Sequence, residues 1–194
     1  MKKAGIIAVI VLALGYLSFT VVEKSTWTYD KAHAKVGFSV THMMISDVEG
    51  YFKNASATLT TSNPDFTDAV VEMKADASSI FTDNEKRDEH LRTADFFDVQ
   101  KYPDITFKSF YFKKTKTPNT YYVKGNLTMH GVTKPVGLNV VAKTGTNPYS
   151  KKAIAGFKIT GTLKRSDFGI GGETPSAIVS DEVQIICNAE FSKD

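Results

Sequence analysis

Four histidines, His33, His42, His90 and His130, are the side chains of this sequence best suited to metal or acid–base chemistry, and Asp30 and Asp88 lie close to two of them in the chain. Imidazole titrates near neutrality and is the commonest metal ligand. The spacing speaks against a protease-type zinc site, because no two histidines stand four residues apart around an acid. A single cysteine, Cys187, rules out an internal disulfide framework and any multi-cysteine metal or iron–sulfur site. Hydrogen-bonded structural histidines are therefore the favoured reading, since buried polar groups find partners. His42 stands apart: at the end of an apolar row it either bonds a neighbouring backbone carbonyl or orients the polar head or carbonyl of a bound lipid. Arg165 and Asp167, beside Phe168, read as a lock on a turn, and Arg87, Asp88 and Arg92 as ion pairs on a solvated helix face. Residues 169–172 lack the helix and lysine of a phosphate loop and read as flexible. The rival to a binding protein is an extracytoplasmic metal-binding protein or hydrolase using His33, His42, His90 and Asp88.

These residues sit in a chain whose dominant period is two. Val36, Phe38, Val40 and His42 alternate with Lys35, Gly37, Ser39 and Thr41, which is the pattern of a strand with one face on a core. The same alternation gives inward rows at Val71, Met73 and Ala75; at Ile105, Phe107, Ser109 and Tyr111; and at Val123, Gly125, Leu127 and Met129. Further rows are Val136, Leu138 and Val140; Ala155, Phe157, Ile159, Gly161 and Leu163; and Val183, Ile185, Cys187, Ala189 and Phe191. Residues 131–135 are expected to turn the chain between two of them. Weaker strands near Trp27 and over residues 57–60 bring the total to about eight. One segment departs from the rule. Thr82 and Glu85 have capping-box spacing, and a charged stretch to Ala94 predicts a short surface helix. Phe96 and Phe97, which follow it, are too apolar for a solvated loop and are expected to cap something.

Eight antiparallel strands can bury such rows in a sandwich of two sheets or in a closed barrel, and periodicity does not separate the two. Small residues in the inward rows, Gly125, Ala155, Gly161 and Ala189, are expected to leave unfilled apolar volume, which invites an apolar guest. With 42% hydrophobic and 23% charged residues over 194 positions, the chain has the composition of a folded domain. Its net charge is +3, of which Lys2 and Lys3 supply two, too little for a nucleic-acid-binding face. Those lysines precede an uncharged run from Ala4 to Val22, so residues 1–22 read as an export leader, either cleaved or kept as an N-terminal membrane anchor. Residues 24–194 are then the working domain, placed in the periplasm or outside the cell.

An ordered set of motifs runs through that domain: Trp27 with Asp30 and His33; Phe38-Ser39-Val40-Thr41-His42; Gly50 with Phe52; Arg87-Asp88-Glu89-His90-Leu91; and Asp95-Phe96-Phe97-Asp98. It continues with Tyr102-Pro103-Asp104-Ile105-Thr106-Phe107, Gly125 to Leu127, Gly131-Val132-Thr133-Lys134, and Arg165-Ser166-Asp167-Phe168-Gly169-Ile170. From Trp27 to Phe191 the chain resembles the bacterial YceI family. The resemblance implies an all-β fold, an extended eight-stranded antiparallel lipocalin-like barrel with a short helix near the mouth. It also implies a polyisoprenoid or similar long-chain amphiphile held in the barrel for transport or storage in the cell envelope, with no catalysis and no cofactor. The expected cavity residues are Phe38, Val40, His42, Met73, Phe107, Leu127, Met129, Phe157, Ile159 and Ile185. The partner implied is a long-chain apolar lipid and not nucleic acid; membrane association through residues 1–22 and a homodimer stay open. Ala34 departs from the family pattern, which has Ser after the first histidine, and cannot make that hydroxyl's hydrogen bond.

Overall fold

A computed structural model describes residues 23–194; the expected leader at residues 1–22 lies outside them. The period-two rows form eleven strands: β1 (Ser25–Tyr29), β2 (Lys35–His42), β3 (Ser46–Phe52), β4 (Ala55–Thr61), β5 (Val70–Asp76), β6 (Ile80–Phe81), β7 (Asp104–Lys114), β8 (Thr120–Met129), β9 (Val132–Thr146), β10 (Ala153–Lys164) and β11 (Val179–Lys193). One α-helix, α1 (Glu85–Arg92), stands among the described residues. All strand pairings are antiparallel, and the sheet closes when β1 pairs with β11 through Trp27 opposite Lys193 and Tyr29 opposite Phe191.

Eleven strands make eight staves of a barrel because three staves are broken in two. β1 and β2 run in line along the same edge of β11. β4 and β3 run in line beside them, and β5 and β6 beside those. The breaks lie at one level across three neighbouring staves, and short polar side chains make them. Asp30 accepts a hydrogen bond from the Ala32 amide, and Asp76 accepts from the amide and hydroxyl of Ser78, each diverting the backbone into a short 3-10 turn. Ser79 ties the second break to the third, its carbonyl accepting from the Lys53 amide and its hydroxyl from the Asn54 amide.

Two strand readings change. β7 carries a bulge at Phe110, because Ser109 faces Gly125 while Tyr111 faces Lys124. The bulge turns Tyr111 outward, where it is exposed, and brings Phe112 into the core. The β8–β9 connection is a two-residue hairpin turn at His130 and Gly131, both at positive φ (51° and 73°), and β9 runs straight through Pro135.

The helix also differs. α1 ends at Arg92, and its cap is Asn84, whose side chain accepts from the Arg87 amide; Thr82 is not the cap. Thr82 is buried and donates to the buried Asp88 carboxylate at 2.6 Å, while Arg87 Nε donates to Thr82 Oγ1 at 2.7 Å. Arg92 donates to the carbonyls of Ser78 and Ile80. These three charged residues pin the helix to the barrel wall at β6 instead of forming ion pairs in solvent.

The end of the barrel away from the helix is plugged. The β4–β5 loop inserts Phe66, 2% exposed, so that its ring packs edge-on to Trp27 at 5.5 Å and to Phe157 at 5.3 Å. Phe66 holds φ at +59°, a conformation unusual for a non-glycine residue. The loop enforces it: the Asp68 carboxylate accepts from Thr61 Oγ1 and from the amides of Ser62 and Asn63, and Tyr121 Oη donates to the Asp65 carbonyl.

Candidate functional site

Above the aromatic plug the barrel is hollow, with a cavity of about 500 Å³, within the range of ligand pockets. The barrel register sets its wall in tiers. Met73 on β5, Phe107 on β7 and Leu127 on β8 lie side by side in one tier. On the facing staves Phe38 on β2 pairs with Ile185 on β11, and Ile159 on β10 pairs with Cys187. Phe157 lies toward the floor, while Val40, His42 and Met129 lie toward the mouth. The structure thus places all ten residues expected from sequence in the cavity wall. Phe38, Val40, Ile159, Val183 and Ile185 point inward yet stay only half-buried, as side chains facing a void do.

Of the four small residues named from the sequence, Ala189 borders this room and the other three do not supply it. A Cβ at Gly125 would lie 2.3 Å from Phe107 Cζ, and one at Gly161 would lie 2.7 Å from Leu138 Cδ2. Ala155 is fully buried near the plug. Neighbouring large side chains already fill the space these positions leave, and the void lies in the middle of the barrel.

The mouth is built by α1, by Phe96 and Phe97, by the β2–β3 hairpin and by the loop between β10 and β11. Phe97 stacks edge-on to Phe52 at 5.8 Å and Phe96 is buried beside Gly171; both line the cavity, so they close its helix side. Arg165 organises the opposite side. Its guanidinium, buried to 7% exposure, donates to the carbonyls of Ile170, Gly171, Thr174, Val179 and Ser180. Every N–H of the fork is used, so Arg165 shapes the loop and offers no donor to a guest. Asp167 pairs instead with Lys134 at 2.8 Å.

The histidines are dispersed. His33 Nδ1 lies 2.9 Å from Asp30 Oδ2 on the outside of the first broken stave; this hydrogen bond and the charges of Asp30 and Glu190 raise the imidazole above its ordinary value of 6.5. His90 meets Asp95 at 3.2 Å, and His130 Nδ1 meets the Phe168 carbonyl at 3.0 Å. His42 sits at the cavity rim and makes no side-chain hydrogen bond among the described residues. Asp30, His33 and Glu190 are the metal-capable side chains that converge within 4.8 Å among the described residues; His42, His90 and Asp88 take no part in that cluster. Cys187, on the cavity wall, has its thiol pushed above the ordinary value of 9.0 by burial.

Sequence alone did not point to Thr82, Arg165 or Ile170 as wall residues. Phe66, which packs against the floor residue Phe157, was equally hidden, although one aromatic amid Asn63, Asp65, Thr67 and Asp68 is a signal that something must bury it.

Comparison with known proteins agrees with this architecture. A UPF0312 protein of Pseudomonas savastanoi pv. phaseolicola is 35% identical over 186 residues, covering 93% of this chain and 94% of its own. The Campylobacter jejuni YceI protein of known crystal structure is 32% identical with a TM-score of 0.72, over 85% of this chain and 96% of that one. A polyisoprenoid-binding domain from Saccharophagus degradans shares the fold at a TM-score of 0.63 and 16% identity, over 87% of this chain and 98% of that one. Residues 27–191, which span the barrel from β1 into β11, the two strands that close it, match the YceI-like domain, and the chain belongs to that family.

Proposed function

We propose that this protein binds a polyisoprenoid or a similar long-chain amphiphile in its barrel, and carries or stores it in the cell envelope as an exported, non-catalytic protein. The observation that carries the reading is an apolar void closed by aromatics at one end and rimmed by the half-exposed His42 and the exposed Ile178 at the other. Such a void suits a chain threaded lengthwise with its head at the mouth. Each methylene withdrawn from water contributes about 0.8 kcal/mol, so even a partly inserted chain is strongly driven into the barrel. His42 at the rim is placed to hydrogen-bond a polar head, and the thioethers of Met73 and Met129 adapt to guests of varied shape. The polyisoprenoid-binding Saccharophagus degradans domain, which shares the fold, supports this choice of ligand class.

Organic extraction of the protein purified without detergent, followed by mass spectrometry, tests the reading. A long-chain lipid in near-stoichiometric amount is expected. An empty extract, together with no uptake of added polyisoprenol, would overturn it.

A further inference from the structure

Three consecutive large apolar side chains form the tip of the hairpin between β2 and β3: Met43, Met44 and Ile45 are 52%, 75% and 85% exposed. None packs against the core, so folding does not account for their types. Met43 and Met44 also hold positive φ, 49° and 60°, where glycine, asparagine or aspartate is the unstrained choice. An exposed apolar run of this length is a liability unless it is used.

The tip belongs to the cavity mouth. The Met43 amide donates to the Ile178 carbonyl at 2.9 Å, and Ile178 is itself 43% exposed. His42 and Ile178 border the cavity, as does Val179, which pairs with His42. Four exposed apolar residues therefore stand on the rim of an apolar void.

We propose that Met43, Met44, Ile45 and Ile178 seat the cavity mouth on the surface of a lipid bilayer, so that an apolar chain passes between bilayer and barrel without crossing water. The proposal rests on the lipid-binding reading of the cavity. Charge identifies the kind of surface. Between Val36 and Phe52 the charged residues are Asp47 and Glu49, and between Gly169 and Asp181 they are Glu173 and Asp181, all acidic. These two segments carry no lysine or arginine, and α1 across the mouth balances Lys86, Arg87 and Arg92 with Glu85, Asp88 and Glu89, so the docking force is apolar insertion and a zwitterionic bilayer is sufficient. The opposite end of the barrel supplies an internal control, because Tyr149 in the β9–β10 turn is 93% exposed there.

The full chain is made as I45C and, separately, as Y149C, each with C187A so that the introduced thiol is the reactive one, and each is labelled with an environment-sensitive fluorophore. Phosphatidylcholine vesicles should shift the I45C emission to the blue and shield it from an aqueous quencher, while leaving Y149C unchanged. Adding M43S and M44S to I45C should weaken this response at least tenfold, and phosphatidylglycerol in the vesicles should not strengthen it. Equal responses at both ends, or none at Ile45, would overturn the proposal. So would a response that grows with protein concentration in the absence of vesicles, which would make the tip a contact between two copies. Uptake of a dispersed fluorescent acyl chain is read separately. Uptake retained in M43S/M44S while vesicle docking is lost supports docking, whereas joint loss overturns it, because the tip would then shape the cavity. An unsubstituted chain that takes up no probe overturns the lipid-binding reading itself.

Discussion

The ring of Phe107 occupies the place where Gly125 has no side chain, so close that a Cβ at position 125 would lie 2.3 Å from its Cζ and 2.6 Å from the Lys108 carbonyl. The pair is a single packing unit in the cavity wall, and its glycine cannot be enlarged without moving backbone. Gly125→Ala should lower stability by about 1–3 kcal/mol, the usual cost of overpacking. Gly156→Ala, where nothing lies within 4 Å of the added carbon, should stay within about 0.5 kcal/mol of the parent. Urea unfolding of the two variants checks the contrast.

Phe66 is the stopper of the barrel. Phe66→Ala should cost about 3–5 kcal/mol, as truncation of a fully packed aromatic does. Phe110, at the bulge in β7 and 59% exposed, should tolerate the same truncation with little loss. Thermal unfolding measured side by side separates stopper from ornament.

Acid should loosen the loop that holds the stopper. Hydrogen bonds from the Lys114 ammonium and from the Thr67 hydroxyl and amide hold the Asp65 carboxyl down to about 2, against an ordinary value of 3.8. A carboxyl depressed on folding contributes stability that is complete above the ordinary value and is lost as the pH falls from there toward the folded one. Carboxyl chemical shifts should therefore show Asp65 titrating near 2, and Asp65→Asn should flatten the loss of stability between about pH 4 and 2.

Cys187 reports on occupancy. Its thiol lines the cavity and burial pushes its titration upward, so charged alkylating reagents should react slowly at neutral pH. A small apolar maleimide should modify the delipidated protein faster, and a loaded lipid should protect the thiol. Equal rates with and without lipid would place the chain elsewhere.

The inward rows were legible because the pleat sends alternate side chains to opposite faces, a consequence of backbone geometry that any strand obeys. All ten expected wall residues follow from that one rule. The bulge at Phe110 was not legible, since Ile105 to Tyr111 keeps a perfect alternation that one extra residue breaks only in pairing with β8. The barrel itself depends on Trp27 and Tyr29 reaching Lys193 and Phe191 across the whole length of the chain, a contact that local pattern cannot report. The charged helix misled for a related reason: Thr82, Arg87 and Asp88 look like solvated residues until tertiary packing buries them in one hydrogen-bonded group. Glycine in an inward row suggests empty space in sequence, yet Phe107 and Leu138 show that a neighbour on the next strand can fill it.

Lipid binding by this protein requires that the void itself hold the chain. The most direct measurement is the number of polyisoprenol molecules that the delipidated protein takes up, compared with variants in which the void is filled from its wall by Ile185→Trp or, more gently, Ile185→Phe. One chain bound per barrel is expected, with a loss graded with added ring size in variants that keep a cooperative unfolding transition. Uptake that ignores both substitutions, or that is absent from the parent protein, would contradict it.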